Sequence, residues 1–195
     1  MKLAVIVMAA GASKRFGAPN KLLQPLHGKP LLQYTLDLAK KIPAQKRVAV
    51  CSTDTAAIAG TEGFTVVVNQ HPEEGQSSSM RLGIALCREC EGAIFLTGDQ
   101  PFVSIESILK LIAAFEEHPN YIIGCAINGH FCIPSIFPAL VFEELLHQQG
   151  DVGGREVMRA HSKEIALVEI DPTEHFDIDT PEDLSKAASY LHNAN

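Results

Sequence analysis

The first acidic residue of this chain is Asp37, although the chain is acidic overall at a formal net charge of −7. No basic block lies beyond the first loop, and that charge argues against nucleic acid as the main partner. No apolar run approaches the ~20 residues that cross a bilayer, so no membrane partner is expected. The N-terminus shares Lys2, an apolar run and the small residues Ala10-Gly11-Ala12 with signal peptides. The run is short for that role and basic residues follow at once, so export is not expected. The five cysteines are Cys51, Cys87, Cys90, Cys125 and Cys132. An odd number without an export signal points to reduced thiols in the cytoplasm. Cys87 and Cys90 form a C-x-x-C at helical spacing with no second pair, and read as core or helix-surface thiols rather than a zinc or redox site. There is no internal repeat, low-complexity tract or linker. A chain of 195 residues, 46% of them hydrophobic, reads as a single globular domain over 1–195.

What is present begins with an apolar strand running into a basic, glycine-studded loop. Leu3-Ala-Val-Ile-Val-Met8 is followed by Ala9-Ala-Gly-Ala-Ser-Lys-Arg-Phe-Gly17 and then Lys21. Lys2, Lys14, Arg15, Lys21 and Lys29 all precede the first acid, as a run of uncompensated cations. Gly11 and Gly17 let the backbone turn sharply and approach a ligand. Successive N–H groups can then form an anion nest, with Arg15 and Lys21 adding full charges. The loop lacks the Gly-Lys-Ser/Thr end of a P-loop and is not G-x-G-x-x-G. The competing reading is a solvated turn with scattered basic residues.

Apolar runs alternate with helical patterns. The expected strands are Leu3–Met8, Arg47–Cys51, Thr65–Asn69, Ala93–Thr97, Tyr121–Cys125 and Ile165–Ile170. Most are continuously apolar, as strands buried on both faces of a parallel sheet are. The expected helices are Pro30–Lys41, Asp54–Ala59, Ser77–Glu89, Ser104–Glu117, Pro138–Gln148, Gly153–Ala160 and Pro181–His192. Pro30, Pro138 and Pro181 suit first helical positions, and Thr180-x-x-Asp183 approximates a capping box. Gly124–Phe137 breaks the rhythm and reads as a small β excursion or a lid. The alternation implies an α/β, doubly wound, three-layer sandwich with a mostly parallel sheet. Ligands of such sheets bind beyond the carboxyl ends of the strands. The first loop, Asn69–Ser79 and Gly98-Asp-Gln-Pro101 all fall at such ends.

Asp99 closes an apolar strand and so points at that cleft. Mg²⁺ prefers one or two such carboxylates plus phosphate oxygens and water. The competing reading is a turn aspartate bonding its own backbone. In Phe176-Asp-Ile-Asp-Thr-Pro-Glu-Asp-Leu184, Asp177 and Asp179 are expected to face opposite sides, one into the cleft and one into solvent. Asp179, beside the helix start, is the candidate second metal ligand, against ordinary helix-start electrostatics. Gln76, Ser77, Ser78 and Ser79 open a helix; capping needs only one hydroxyl, and the surplus suggests contact with a polar base edge. Gly150-Asp-Val-Gly-Gly-Arg155 is either a plain turn or an anion-binding helix start.

Taken together these segments resemble the MobA-like nucleotidyltransferases, in particular their molybdenum cofactor cytidylyltransferase branch. The matching residues are Met8–Gly17, Lys21-Leu-Leu23, Pro25–Leu31, Gly75–Gly83, Thr97-Gly-Asp-Gln-Pro101, Gly150–Arg155 and Phe176–Leu184, in family order. The first-loop and Gly-Asp-Gln-Pro motifs are shared widely among nucleotidyltransferases, and the Gln-Ser-Ser-Ser segment is more specific to the cytidylyl branch. The resemblance implies a Rossmann-like fold that joins an NTP to the phosphate of a molybdopterin-type cofactor and releases pyrophosphate. It places Ala9, Ala10, Gly11, Ser13, Lys14 and Arg15 along the NTP, Lys21 on its phosphates, Mg²⁺ on Asp99, and Asp179 at the second acidic position. It also implies CTP, or alternatively GTP, as donor and transient contact with a molybdoenzyme or its chaperone. Phe16 stands where methionine is usual, and Gly129-His130-Phe-Cys-Ile-Pro134 displaces the usual proline; both departures bear on the acceptor. The competing functions are a sugar-phosphate nucleotidyltransferase and a non-catalytic cofactor chaperone. The short chain counts against the first, and the joint presence of Asp99 and Asp179 against the second.

Overall fold

The computed structural model describes all residues except Ala12, Lys14, Ala18, Asp151, Ala194 and Asn195. In chain order the elements are β1 (Leu3–Ala9), β2 (Pro25–Leu26), β3 (Lys29–Pro30), α1 (Leu31–Lys41), β4 (Lys46–Cys51), α2 (Thr53–Thr61), β5 (Thr65–Val68) and α3 (Gln76–Ala85). They continue with β6 (Gly92–Thr97), α4 (Ile105–Glu117), β7 (Ile122–Ile127), β8 (His130–Pro138), α5 (Phe142–His147), α6 (Arg155–Ala160), β9 (Ile165–Glu169) and α7 (Pro181–Asn193). Seven strands form one sheet in the order β5-β4-β1-β6-β8-β7-β9, and β2 and β3 make a separate hairpin. All pairings in the large sheet are parallel except those of β8, which runs antiparallel to β6 and β7.

The side-chain alternation of β1 builds both cores. Leu3, Val5, Val7 and Ala9 pack with Leu31, Leu36, Ile108 and Phe115 of α1 and α4. Ala4 and Ile6 pack on the other face with Met80, Ile84, Phe142 and Leu145 of α3 and α5. Each such large side chain contributes roughly 1.5–3 kcal/mol on burial. At Gly83 an added Cβ would lie 2.6 Å from Ile6 Cγ2, so only glycine lets α3 approach β1 this closely.

Each expected strand is present within a residue or two of its expected bounds. The Gly124–Phe137 stretch is no lid: it holds the end of β7 and most of β8, an internal strand between β6 and β7. Its signal was masked by Pro134, which cannot donate to a ladder. The strand accommodates that proline because Cys132 pairs with Cys125 and Ser135 with Gly124, leaving Ile133 and Pro134 in a register shift. The expected Pro138–Gln148 helix shrinks to a 3-10 turn, Ala139–Val141, and α5, because Pro138 ends β8. The helix expected to reach Glu89 stops at Ala85, so Cys87 and Cys90 lie beyond it. All five cysteines are buried free thiols. Burial pushes Cys87 up to about 12, which keeps it from serving as a thiolate at neutral pH. Among the described residues no helix is long and apolar enough to cross a membrane.

The chain leaves β1 toward β4 on one side, while β6 adds to the other side of β1. A crevice opens at the carboxyl ends of strands where the order reverses in this way.

Candidate active site

Asp99 stands just beyond β6. Gly98 continues the ladder by donating its N–H to Met8 O at 3.0 Å, which carries Asp99 to the crevice. The Asp99 carbonyl accepts the Ile178 N–H at 3.1 Å and so brings the C-terminal acidic segment alongside. Ile178 is 0% exposed and plugs the core. Residues two apart in an extended segment share a face. Asp177 and Asp179 therefore both line the cleft system opposite Ile178, and the expectation that they face opposite sides is corrected. Thr180 and Asp183 form the reciprocal capping box at the start of α7, with N–H donation to Asp183 at 3.0 Å and to Thr180 at 3.2 Å.

Lys21 joins the two carboxylates. It opens a 3-10 turn capped by Asn20, whose side chain accepts the Leu22 N–H at 3.0 Å, and Leu22 anchors the turn in the core. The Lys21 ammonium donates to Asp99 Oδ2 at 2.7 Å and to Asp179 Oδ1 at 2.9 Å. Arg15 Nη2 lies 2.9 Å from Asp179 Oδ2. Burial pulls the Lys21 pKa down, but the Asp99 and Asp179 carboxylates outweigh it and hold the amine above its ordinary value. Three of the early cations, Arg15, Lys21 and Lys29, are thus compensated. Lys21 and Arg15 share Asp99 and Asp179, and Lys29 pairs with Asp37 at 2.9 Å. The compensating acids lie later in the chain, where sequence order does not show the pairing.

Between β1 and Lys21 the described residues bond to one another around Ser13. Ser13, at φ +48°, accepts the Phe16 and Gly17 N–H groups on its carbonyl. Its hydroxyl donates to Asn20 Oδ1 at 3.2 Å and accepts the Lys21 N–H at 3.4 Å. Gly17, at φ +83°, supplies the left-handed turn that a side chain would strain. Ala10, Gly11, Ser13, Arg15 and Lys21 line a cleft of about 530 Å³ with Asp99 and Asp179. Ala9 does not: it is buried, and its carbonyl accepts the Thr55 hydroxyl at 2.8 Å. Lys14 lies outside the described residues.

Residues 72–79 complete the cleft, where Gln76 and Ser79 join Glu73 and Gly75. Ser77 and Ser78, also expected as ligand contacts, are not among the residues that line this cleft. Their hydroxyls donate to the Gly150 and Gly75 carbonyls respectively, so they bind the wall together from behind. A second cavity of about 420 Å³ shares Arg15, Gln76, Asp99 and Asp179 with the first. Its apolar side includes Phe131, Phe137 and Met158; its polar side includes Gln100, Arg155, His175 and Asp177. Gln100 Nε2 donates to Asp177 Oδ1 at 2.7 Å and lies 3.1 Å from His175 Nδ1. Lost hydration, and then the Asp99 charge, push the Asp177 carboxyl above the usual range. Gln100, Arg155 and Asp177 sat inside motifs visible in the sequence; His175 carried no signal beyond lying just before the acidic segment.

The carboxylates of Asp99 and Asp179 converge on one cationic nitrogen and offer only hard oxygen donors. That set fits Mg²⁺ or Mn²⁺, which complete their shells with phosphate oxygens and water. Among the described residues no group of three or more His, Cys, Asp and Glu forms a cage by itself. A divalent ion held here therefore leaves positions open for substrate.

The model of the MobA-like NTP transferase domain matches residues 5–165. The chain is 31% identical over 124 residues to 8-amino-3,8-dideoxy-manno-octulosonate cytidylyltransferase of Shewanella baltica, covering 62% of this chain and 50% of that protein. It spans half or less of the length of the curated relatives it matches. The crystal structure of Rv0371c from Mycobacterium tuberculosis superposes with a TM-score of 0.85 at 25% identity, covering 97% of this chain and 98% of the other. The same mycobacterial protein in complex with manganese gives a TM-score of 0.81 at 23% identity, covering 97% and 99%. Molybdopterin-guanine dinucleotide biosynthesis protein A from Archaeoglobus fulgidus gives 0.73 at 17% identity, covering 97% and 99%.

Proposed function

Because the chain belongs to the MobA-like NTP transferase family, we propose that it transfers CMP from CTP to the terminal phosphate of a molybdopterin-type cofactor and releases pyrophosphate. The observation that carries this reading is the convergence of Asp99, Asp179, Lys21 and Arg15 at the mouth of the glycine loop. In the reaction an acceptor phosphate oxygen forms a bond to the α-phosphorus, and the bond from that phosphorus to the bridging oxygen of pyrophosphate breaks. The protein's work is in-line positioning and neutralisation of charge. Lys21 uses two of its donors on Asp99 and Asp179. The third is available to a phosphate oxygen. Arg15, Gly11 and Ser13 line the same cleft and suit the leaving pyrophosphate. Asp99 and Asp179 would hold the divalent ion, which supplies Lewis-acid neutralisation of the phosphate oxygens when bound. The manganese complex of the mycobacterial relative supports a divalent-ion requirement. The acceptor is a phosphate already ionised at neutral pH, so no general base is required, and none is assigned to a histidine.

The second cavity is where the acceptor fits this reading. It adjoins the carboxylates, has apolar walls for a flat ring system and carries Arg155 toward an anionic group. A sugar-type acceptor is the second reading, favoured by the Shewanella cytidylyltransferase. Pyrophosphate release, measured for each ribonucleoside triphosphate against molybdopterin-type and sugar-phosphate acceptors, separates them. Release that requires CTP and the molybdopterin-type acceptor supports the proposal. Release driven only by sugar acceptors removes the cofactor assignment, and no release with any pair removes the enzyme reading.

A further inference from the structure

Asn69, the residue after β5, is 5% exposed and makes more side-chain contacts than a turn residue needs. Its Oδ1 accepts the His71 backbone N–H at 2.9 Å. A backbone N–H can only donate, so this bond fixes which way the amide points. Nδ2 must then donate, and its hydrogens go to Ser78 Oγ at 2.8 Å and Ser79 Oγ at 3.0 Å. Ser78 passes its own proton to the Gly75 carbonyl at 2.8 Å. Ser79 differs. Its oxygen is an acceptor toward Asn69, and its own O–H has no acceptor among the described residues. Ser79 is 8% exposed and lines the nucleotide cleft.

We infer that Asn69 is a specificity-positioning residue: by donating to Ser79, it makes that hydroxyl present a proton to the cleft. The site then reads an acceptor on the nucleobase, a ring carbonyl or ring nitrogen such as cytosine carries. This inference rests on the cytidylyl reading and assigns a residue that does not itself touch the ligand. The logic is a polarity code. An acceptor on the base satisfies the Ser79 proton, whereas a donor placed there faces another donor and leaves both unpaired. Replacing the Asn69 amide by a carboxylate reverses the code. Ser79 would then donate inward to the carboxylate and turn only lone pairs to the ligand.

The test is equilibrium binding of CTP and of inorganic pyrophosphate, by calorimetry with Mg²⁺ and no acceptor, to wild type, Asn69→Asp, Ser79→Ala and the double variant. Asn69→Asp is expected to weaken CTP at least tenfold while pyrophosphate affinity stays within about twofold of wild type. Ser79→Ala is expected to weaken CTP to a similar degree. The double variant should be no weaker than the worse single one, as for residues acting through one group. Pyrophosphate affinity reports that the variants are folded and the charged end intact. Unchanged CTP affinity in Asn69→Asp with pyrophosphate binding retained overturns the inference. Equal loss of CTP and pyrophosphate affinity also overturns it, since Asn69 would then be only a structural tie. If wild type prefers another nucleotide to CTP, the cytidylyl reading fails. The same variants measured with the preferred nucleotide then decide the role of Asn69 separately.

Discussion

At one end of the cleft Lys21 and Arg15 meet Asp99 and Asp179 as full charges. At the other end Asn69, Ser78 and Ser79 meet through neutral amide and hydroxyl groups. Coulomb attraction falls off gradually with distance and attracts any triphosphate, whatever its base. Neutral hydrogen bonds act only at short range and in defined directions. On the proposed reading the charged end would supply turnover common to many donors, and the neutral end choice among them. The two ends should fail differently when altered.

The largest expected effect is at Asp99. Asp99→Asn should lower kcat by about 10²–10³-fold, the usual cost of removing one group that stabilises developing charge. The fold should survive, because the side chain is only partly buried. Circular dichroism with steady-state kinetics checks both; a folded variant with near-normal, divalent-ion-dependent turnover removes Asp99 from the mechanism.

Lys21 and Arg15 come next and should separate from each other. The Lys21 side chain is 10% exposed and bridges both carboxylates, whereas that of Arg15 is 74% exposed and touches one. Lys21→Met should cost about 10²-fold in kcat and Arg15→Ala about tenfold, because solvent-screened pairs contribute less. In both, kcat should fall at least as much as KM for the nucleotide rises. A change confined to KM would recast both as ground-state binders and blur the division between the ends.

Ser77 and Ser79 sharpen the comparison within one helical turn. Ser77→Ala removes the bond to the Gly150 carbonyl and should cost about 0.5–1.5 kcal/mol of stability with KM unchanged. Ser79→Ala should raise KM for the nucleotide; it also costs about 1 kcal/mol or more of stability, because the buried Asn69 Nδ2 loses an acceptor, so the two variants differ in KM rather than in stability. Urea unfolding and initial-rate kinetics on the pair read out the contrast, and the reverse pattern would exchange their roles.

The smallest expected effect is alkaline. Lys21 is held above its ordinary value of 10.5 by its partners. For a cation raised in this way, the stabilising contribution is fully present below the unfolded value and is lost as pH rises through the folded one. The melting temperature of wild type should therefore fall more steeply than that of Lys21→Met above about pH 10. Parallel curves would mean that the ammonium is not held by the carboxylate pair.

Asp99 was legible because it ends a continuous apolar run, and buried parallel strands end at the crevice. The place of Asp179 in the cleft was legible, but Asp177 was expected to face the opposite side: the two-residue period puts both on one side. β8 was hidden because Pro134 interrupts the pattern and His130 starts it polar, and only the register shift against β7 shows how a strand forms there. Ser77 and Ser78 looked like ligand contacts because their partners, the Gly150 and Gly75 carbonyls and the Asn69 amide, are fixed by the fold rather than by local spacing. The paired state of Lys21 was illegible for the same reason. Its two carboxylates come from beyond β6 and from just before α7.

The division of labour between the ends is tested most directly by competition. CTP and GTP at equal concentration are incubated with the protein, Mg²⁺ and a molybdopterin-type acceptor, and the product is weighed by mass spectrometry. The account predicts cytidylylated product in excess by orders of magnitude, because a mismatched base leaves buried polar groups unpaired. Predominantly guanylylated product, or a near-equal mixture, would contradict it.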